Sequence, residues 1–118
     1  MADAAEEHNE VMIARIWRGW AAPDEADEYQ RHYETEIIAN LRAIDGFRGA
    51  QLLRRADGDE VLFTAITWFT SLNAIRDFAG EHYERAVMEE PAITALTRWD
   101  ERVIHHVVEV NVPGDSRM

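Results

Sequence analysis

The spacing of apolar residues changes at the centre of the sequence, within residues 61–80. Residues 61–69 are largely apolar on both faces of an extended segment, which predicts a strand that is covered on two sides. From Ser71 to Gly80 the apolar residues recur at helical spacing, behind a serine suited to cap the first turn and before a glycine suited to end the last. The pattern predicts a buried strand that leads directly into an amphipathic helix.

The remaining strands follow from the same kind of pattern. Apolar residues alternate with arginines over residues 11–20, and a β-branched run forms residues 102–112. Residues 47–56 are also predicted to form a strand. They are followed by Asp57-Gly58, a dipeptide that favours a tight antiparallel turn. We therefore expect this segment to pair with the central strand.

The first helix is predicted between Pro23 and Asp45. A proline suits the first helical position, acidic residues follow it, and an apolar stripe then runs at steps of four, four, four and three. The members of that stripe are Tyr29, Tyr33, Ile37, Leu41 and Ile44. After the second helix, residues 81–90 are predicted to continue as helix until Pro91 interrupts them, and residues 92–96 to add one turn.

The predicted order is strand, helix, strand, strand, helix, strand, which is an α+β, ferredoxin-like βαββαβ subunit with an antiparallel four-stranded sheet. Two helices can cover only one face of such a sheet. Because the central strand is apolar on both faces, we expect an isologous homodimer that packs sheet against sheet. We predict one domain at residues 11–112, a flexible acidic tail at residues 1–10 and a C-terminal tail at residues 113–118.

Composition excludes several classes of chemistry. The 118 residues include no cysteine and no lysine, which removes thiolate nucleophiles, thiolate ligands and Schiff-base catalysis. The two serines, Ser71 and Ser116, stand at a helix cap and in the tail, so neither suits a hydrolase triad. The net charge of -11 argues against nucleic-acid binding. No apolar run is long enough to span a bilayer and no signal peptide is evident, so a cytoplasmic protein is predicted.

Four segments carry a resemblance to a known family: MIARIWRG from residue 12, DGFRG from residue 45, ITWFTSLNAIRDFAG from residue 66 and IHHVVEV from residue 104. Together they resemble the antibiotic biosynthesis monooxygenase family of dimeric α/β barrels, over roughly residues 11–110. The resemblance implies a homodimer with a pocket between helices and sheet in each subunit. It also implies oxidation of polycyclic aromatic compounds by molecular oxygen without metal or flavin, although other members degrade haem or have no established activity.

The functional residues of that family are only partly present. The anthrone-oxidising branch uses a tryptophan matched by Trp68 and an arginine matched by Arg85, but Thr64 stands at its asparagine and Ile75 near its tyrosine. The haem-degrading branch uses an asparagine, a tryptophan and a histidine, and all three are replaced, so haem degradation is not expected. The three replacing residues are Trp17, Phe78 and Met88.

The candidate site combines aromatic pocket walls with a base. The predicted walls are Trp17, Tyr33, Trp68 and Phe78. His105 and His106 point to opposite faces of a strand, so at most one enters the pocket, either as a base for a phenol or enol or as a packed side chain. Arg85 either reaches the substrate or pairs at the surface. Arg15, on a covered face, needs an anionic partner from an acidic side chain or from the substrate.

A metal site is not predicted. His32 and Glu36 lie one helical turn apart, but two ligands do not make a site, and we expect a solvated pair. The leading hypothesis is a cofactor-independent monooxygenase that acts on a small aromatic or polyketide-like substrate in an apolar pocket. The competing hypothesis is a non-catalytic protein on the same dimeric barrel that binds a small molecule or a partner.

Overall fold

The computed structural model describes residues 11–114, so the predicted N-terminal tail and the last four residues of the predicted C-terminal tail lie outside the described residues. Residues 11–114 form five strands and four α-helices, with a π-helical segment between the first two helices. The strands are β1 (Ile13–Ala21), β2 (Phe47–Asp57), β3 (Glu60–Phe69), β4 (Leu96–Trp99) and β5 (Ile104–Val107). The helices are α1 (Ala26–His32), a π-helical segment (Tyr33–Ile37) and α2 (Ile38–Arg42), which follow one another without a break, then α3 (Leu72–Ala79) and α4 (Glu90–Ala95).

All strand pairs are antiparallel, in the order β2, β3, β1, with β4 and β5 both paired to the outer side of β1. This is the predicted α+β, ferredoxin-like arrangement. Within residues 11–114, none of the helices is long and apolar enough to cross a membrane.

The strand at the β1 edge is divided, which differs from the single strand predicted at residues 102–112. β4 pairs with the end of β1 and β5 with its start. After Asp100, whose N–H donates to the carbonyl of Arg18 in β1, the chain bonds instead to residues 84–86. The N–H of Val103 donates to the carbonyl of Glu84, and the N–H of Ala86 donates to that of Glu101. Residues 81–89 are therefore an irregular segment held to this edge, and the predicted helix there is wrong.

Local sequence signals determine where α3 begins and ends and where α4 begins. The Oγ of Ser71 accepts a hydrogen bond from the N–H of Ala74 at 3.0 Å, and Gly80, at a φ of 88°, ends α3. Pro91 lies in the first turn of α4, where its missing N–H costs nothing, so it begins a helix instead of interrupting one. The helical turn predicted at residues 92–96 thus belongs to α4, whose last residue is Ala95.

The core lies between one face of the sheet and the helices. Phe63 and Phe69 of β3 are fully buried there, in two clusters that the first helix and α3 cover. On the other face, which we call the open face, Ile66 and Trp68 are half-buried and Leu53 and Ile104 are exposed. The prediction that helices cover one sheet face therefore agrees with the structure, and the open face carries apolar side chains.

Candidate active site

An irregular turn in the first helix shapes the inner surface of the domain. The N–H of Ile38 donates to the carbonyl of Tyr33, five residues earlier, which widens the helix into a π-helical turn. Two consecutive side chains at this turn, His32 and Tyr33, are both buried, at 5% and 6% exposure. Neighbouring residues of a regular α-helix point about 100° apart, so the wider turn helps to keep both against the sheet.

A cavity lies between this helix, the sheet and residues 87–88. The concavity has a volume of about 550 Å³, including the part that is open to solvent. Its walls are mainly aromatic and aliphatic. The polar side chains in the lining are Arg15, His32, Tyr33 and Thr67, together with the indole of Trp17 and the phenol of Tyr29. A mostly apolar cavity with a few polar groups is the usual form of a small-molecule site.

Three of the four predicted pocket residues line this cavity: Trp17 from β1, Tyr33 from the first helix and Phe78 from α3. The fourth, Trp68, does not. It pairs with Ala14 on the open face, because it alternates along β3 with the side chains that the helices cover. The predicted position of Trp68 in the pocket wall is therefore corrected.

Trp17 reaches the cavity because the next inward position of β1 is a glycine. A Cβ on Gly19 would lie 2.5 Å from Cη2 of the Trp17 ring and 3.2 Å from Cδ1 of Leu96. The indole Nε1 donates to the backbone carbonyl of Asp100 at 2.8 Å, where the chain passes from β4 to β5. The break in the edge strand thus fixes one wall of the cavity.

The two adjacent histidines lie on opposite faces. His105 faces the helices, where its Nε2 is 3.1 Å from Nη1 of Arg15 and its ring meets Tyr83 edge-on, but it is not part of the cavity lining. His106 is exposed on the open face. Arg85 is also exposed, and its backbone carbonyl, not its guanidinium, faces inward, accepting from Nη2 of Arg15 at 3.0 Å.

His32 is the histidine that lines the cavity, and it was expected to be solvated. Neither ring nitrogen makes a hydrogen bond within residues 11–114. Oε1 of Glu89 lies 3.5 Å from Nε2, and Oε1 of Glu36 lies 3.7 Å from Nδ1. Asn40 donates to the other oxygen of Glu89 at 3.4 Å and so helps to orient that carboxylate. The expectation of a solvated pair is wrong for His32, whereas Glu36 is exposed.

Donor atoms of His32, Glu36 and Glu89 lie within 4.8 Å of one another, close enough to consider a cation. The two carboxylates, however, sit at different ring nitrogens. A metal ion binds only one ring nitrogen, so the carboxylate beside the other nitrogen would be poorly placed as a ligand. The arrangement therefore suits a metal site poorly.

Both cavity tyrosines remain neutral at ordinary pH. Burial, the larger cause, raises the pKa of Tyr29, and the neighbouring Tyr33 raises it further. Burial likewise raises the pKa of Tyr33, and Thr67 opposes this only in part. The Tyr33 hydroxyl is buried without a well-formed hydrogen bond in the described part of the chain. Tyr33 is thus a neutral, buried hydroxyl group in the cavity lining.

The sequence also matches a model of a known protein family. Residues 6–90 match the model described as antibiotic biosynthesis monooxygenase. The chain belongs to the antibiotic biosynthesis monooxygenase family. This confirms the resemblance that the four sequence segments indicate. No curated protein matches the chain.

Several solved structures have folds similar to that of this antibiotic biosynthesis monooxygenase family member. Rv0793 from Mycobacterium tuberculosis is 23% identical, with a TM-score of 0.55 and coverage of 88% of this chain and 99% of that one. A mutant of SnoaB, a cofactor-independent oxygenase from Streptomyces nogalater, is 19% identical, with a TM-score of 0.54 and coverage of 86% and 95%. The monooxygenase from the gene ActVA-Orf6 of Streptomyces coelicolor, in complex with nanaomycin D, is 12% identical, with a TM-score of 0.56 and coverage of 88% and 92%. At these identities the similarity establishes the fold.

Proposed function

We propose that the protein is a cofactor-independent monooxygenase that oxidises a small aromatic or polyketide-like substrate in this cavity. The observation that carries the proposal is a buried imidazole, His32, without a hydrogen-bond partner among residues 11–114, in an otherwise mainly apolar cavity. Family membership supports the reaction class. The SnoaB relative is described as a cofactor-independent oxygenase, and the Streptomyces coelicolor relative holds the ligand nanaomycin D.

His32 is the proposed base, in place of the two histidines that the sequence suggests. It takes a proton from an anthrone, and the resulting anion transfers electrons to oxygen. For an anthrone, one oxygen atom becomes the new carbonyl and the other leaves as water with the two hydrogens of the methylene group. One ring nitrogen takes the proton, and the carboxylate beside the other nitrogen stabilises the imidazolium, as the third group of a catalytic triad does. Glu89 lies beside Nε2 and Glu36 beside Nδ1.

Oxygen consumption with a panel of anthrones and hydroquinones tests this proposal. His32→Gln should lower kcat by about 100-fold or more, because general-base catalysis typically contributes that much, while binding of the substrate persists. His106→Gln is the matched control, since it makes the same change on the open face. Loss of turnover in His105→Gln alone would move the base to that residue. Tight binding by the wild type with no oxygen consumption would favour the non-catalytic alternative.

We also propose that two copies pack through the open face of the sheet. Ile104, Ile16 and Ile66 are register partners on neighbouring strands and form an apolar row across it. Leu53 adds a further exposed aliphatic side chain, at 47% exposure. The second face of an antiparallel sheet is commonly solvated and polar, so a row of aliphatic side chains there indicates a contact surface. A second copy of the chain supplies a self-complementary cover.

A further inference from the structure

Arg15 is a buried cation in the wall of the cavity. The residue is 5% exposed and lies on the covered face of β1, between its register partners Thr67 of β3 and His105 of β5. Its guanidinium carbon is 5.7 Å from the centre of the Phe78 ring. Arginine is seldom buried so completely unless it is paired with an anion.

Neutral groups hold this guanidinium in place. Nη1 donates to the backbone carbonyl of Tyr83 at 2.5 Å and contacts Nε2 of His105, and Nη2 donates to the backbone carbonyl of Arg85. These contacts occupy three of the five N–H groups of a guanidinium. They orient the cation without neutralising it, and burial lowers the pKa of Arg15 to about 10.

Surface arginines of the same chain are paired differently. Arg18, Arg54 and Arg98 each have a carboxylate oxygen at 2.9 Å. Among residues 11–114 no carboxylate forms an ion pair with Arg15, although the sequence contains 23 acidic residues. Arg15 is the most deeply buried of these four arginines, and burying a charge is costly. It is also the one that has no oppositely charged neighbour among residues 11–114. An oriented cation of this kind, at the wall of an apolar cavity, is suited to an external anion.

We propose that the cavity binds an aromatic anion whose carboxylate or enolate oxygen pairs with Arg15. The proposal rests on the proposed function and narrows its substrate class from aromatic to anionic aromatic compounds. Trp17 and Phe78 supply apolar surface for the ring system, and the Thr67 hydroxyl lies on the same wall. In the oxygenase reaction, the same guanidinium would stabilise the enolate that forms when the base removes a proton.

Binding of 2-naphthoate and 2-naphthalenemethanol tests the proposal, because the two probes share a ring system and differ in charge. Calorimetric titration without oxygen separates binding from turnover. The wild type should bind naphthoate at least about tenfold more tightly than the alcohol, since a charge-assisted hydrogen bond is worth that much. Arg15→Met should abolish this preference by weakening naphthoate alone. Arg55→Met, at an exposed arginine on the open face, is the matched control and should retain the preference.

A third probe separates the two kinds of anion. Anthrone ionises to an enolate, so pairing with Arg15 should shift its ionisation to lower pH in the wild-type complex, as read by absorbance, and not in Arg15→Met. A naphthoate preference together with this shift supports binding of both anions. The preference without the shift supports a carboxylate ligand.

Thermal unfolding keeps the proposal testable whatever the variant does to folding. Naphthoate should raise the unfolding midpoint of the wild type more than the alcohol does, because a ligand stabilises the state that binds it. The absence of both the naphthoate preference and the anthrone shift overturns the proposal, and it is the result expected if a second subunit or a residue outside 11–114 supplies the counter-ion. The anthrone shift without the preference supports an enolate ligand alone. A naphthoate preference without oxygen consumption contradicts only the proposed function. Turnover of neutral substrates with neither the preference nor the shift contradicts only the anion site.

Discussion

Arg15 influences the protonation state of His105. Because a guanidinium can only donate, the 3.1 Å contact between Nη1 and Nε2 requires Nε2 to accept, so the proton of the neutral ring is on Nδ1. Burial, and then repulsion by Arg15, lower the pKa of His105 below its usual 6.5, against an opposing effect of Glu84. The folded protein therefore favours the neutral histidine.

This lowered pKa predicts a specific loss of stability in acid. Between the lowered pKa and the ordinary 6.5, the unfolded chain binds more protons at residue 105 than the folded chain does. The contribution of His105 to stability is thus complete above the unfolded pKa and is lost as the pH falls through the folded pKa. Urea unfolding of wild type and His105→Gln at about pH 7.5 and about pH 5 measures it.

The expected outcome is that the stability advantage of the wild type over His105→Gln is smaller at the lower pH. Glutamine is a suitable replacement because its carbonyl oxygen can still accept from Arg15 at either pH. Carboxylates elsewhere titrate equally in both proteins, so they cancel in the comparison. A difference that stays constant, or that grows in acid, would contradict the assigned protonation state.

The sequence patterns predicted which side chains line the cavity better than they predicted the contacts that those side chains make. Alternation along β3 correctly separated Trp68 from Thr67, but it could not say which face the helices would cover, so Trp68 was assigned to the wrong side. His32 was underestimated for a different reason. Its second carboxylate neighbour, Glu89, lies 57 positions further along the sequence, and no local spacing predicts such a contact.

α3 is short, so its first turn contributes a large part of its hydrogen bonding. The helix follows β3 after Thr70 and Ser71, and the Ser71 hydroxyl accepts from the N–H of Ala74 at 3.0 Å. The N–H of Thr70 donates to the carbonyl of Gly46 at 2.9 Å, which ties this junction to the loop that precedes β2. Phe78, a wall of the cavity, depends on the direction in which α3 leaves this junction.

Ser71→Ala should destabilise the folded protein by about 0.5–2 kcal/mol, the usual cost of losing an N-cap side chain. Ser71→Asp is the matched control, because aspartate also caps helices and its charge favours the N-terminal end of the helix dipole. Urea unfolding at neutral pH provides the measurement. Equal losses in both variants would show that the hydroxyl acts through some contact other than the cap.

The longer elements show which signals the sequence carries and which it lacks. The stripe of the first helix advances in three steps of four residues, and each step drifts by about 40° in a regular α-helix. The π-helical turn at residues 33–37 absorbs part of that drift, so the repeated spacing was a readable signal for it. The break between β4 and β5 has no comparable signal, because it depends on backbone bonds to residues 84–86.

The domain as a whole is asymmetric across its sheet. The covered face contains the core and the cavity, whereas the open face carries aliphatic side chains such as Ile66 and Ile104 among polar neighbours. A net charge of -11 on each chain opposes association, and salt at physiological concentration screens this repulsion beyond about 8 Å. Contact between two open faces therefore requires the apolar row to outweigh a screened repulsion.

Ile104→Glu should convert the proposed homodimer into a folded monomer. Ile104 is 61% exposed in the single chain, so a glutamate there costs the folded subunit little, but a sheet-to-sheet interface would bury it without a partner. Ile93→Glu is the matched control, because Ile93 is 42% exposed and lies on α4, away from the sheet face.

Solution scattering at micromolar concentration and about 0.15 M salt distinguishes the outcomes. We expect the mass of two chains for the wild type and Ile93→Glu and of one chain for Ile104→Glu, all with the same circular dichroism. A monomeric wild type would leave the open face without its cover and contradict the proposed dimer. A dimeric Ile104→Glu would place the interface elsewhere, because an unpaired carboxylate cannot remain in the middle of a close apolar contact without a large loss of affinity.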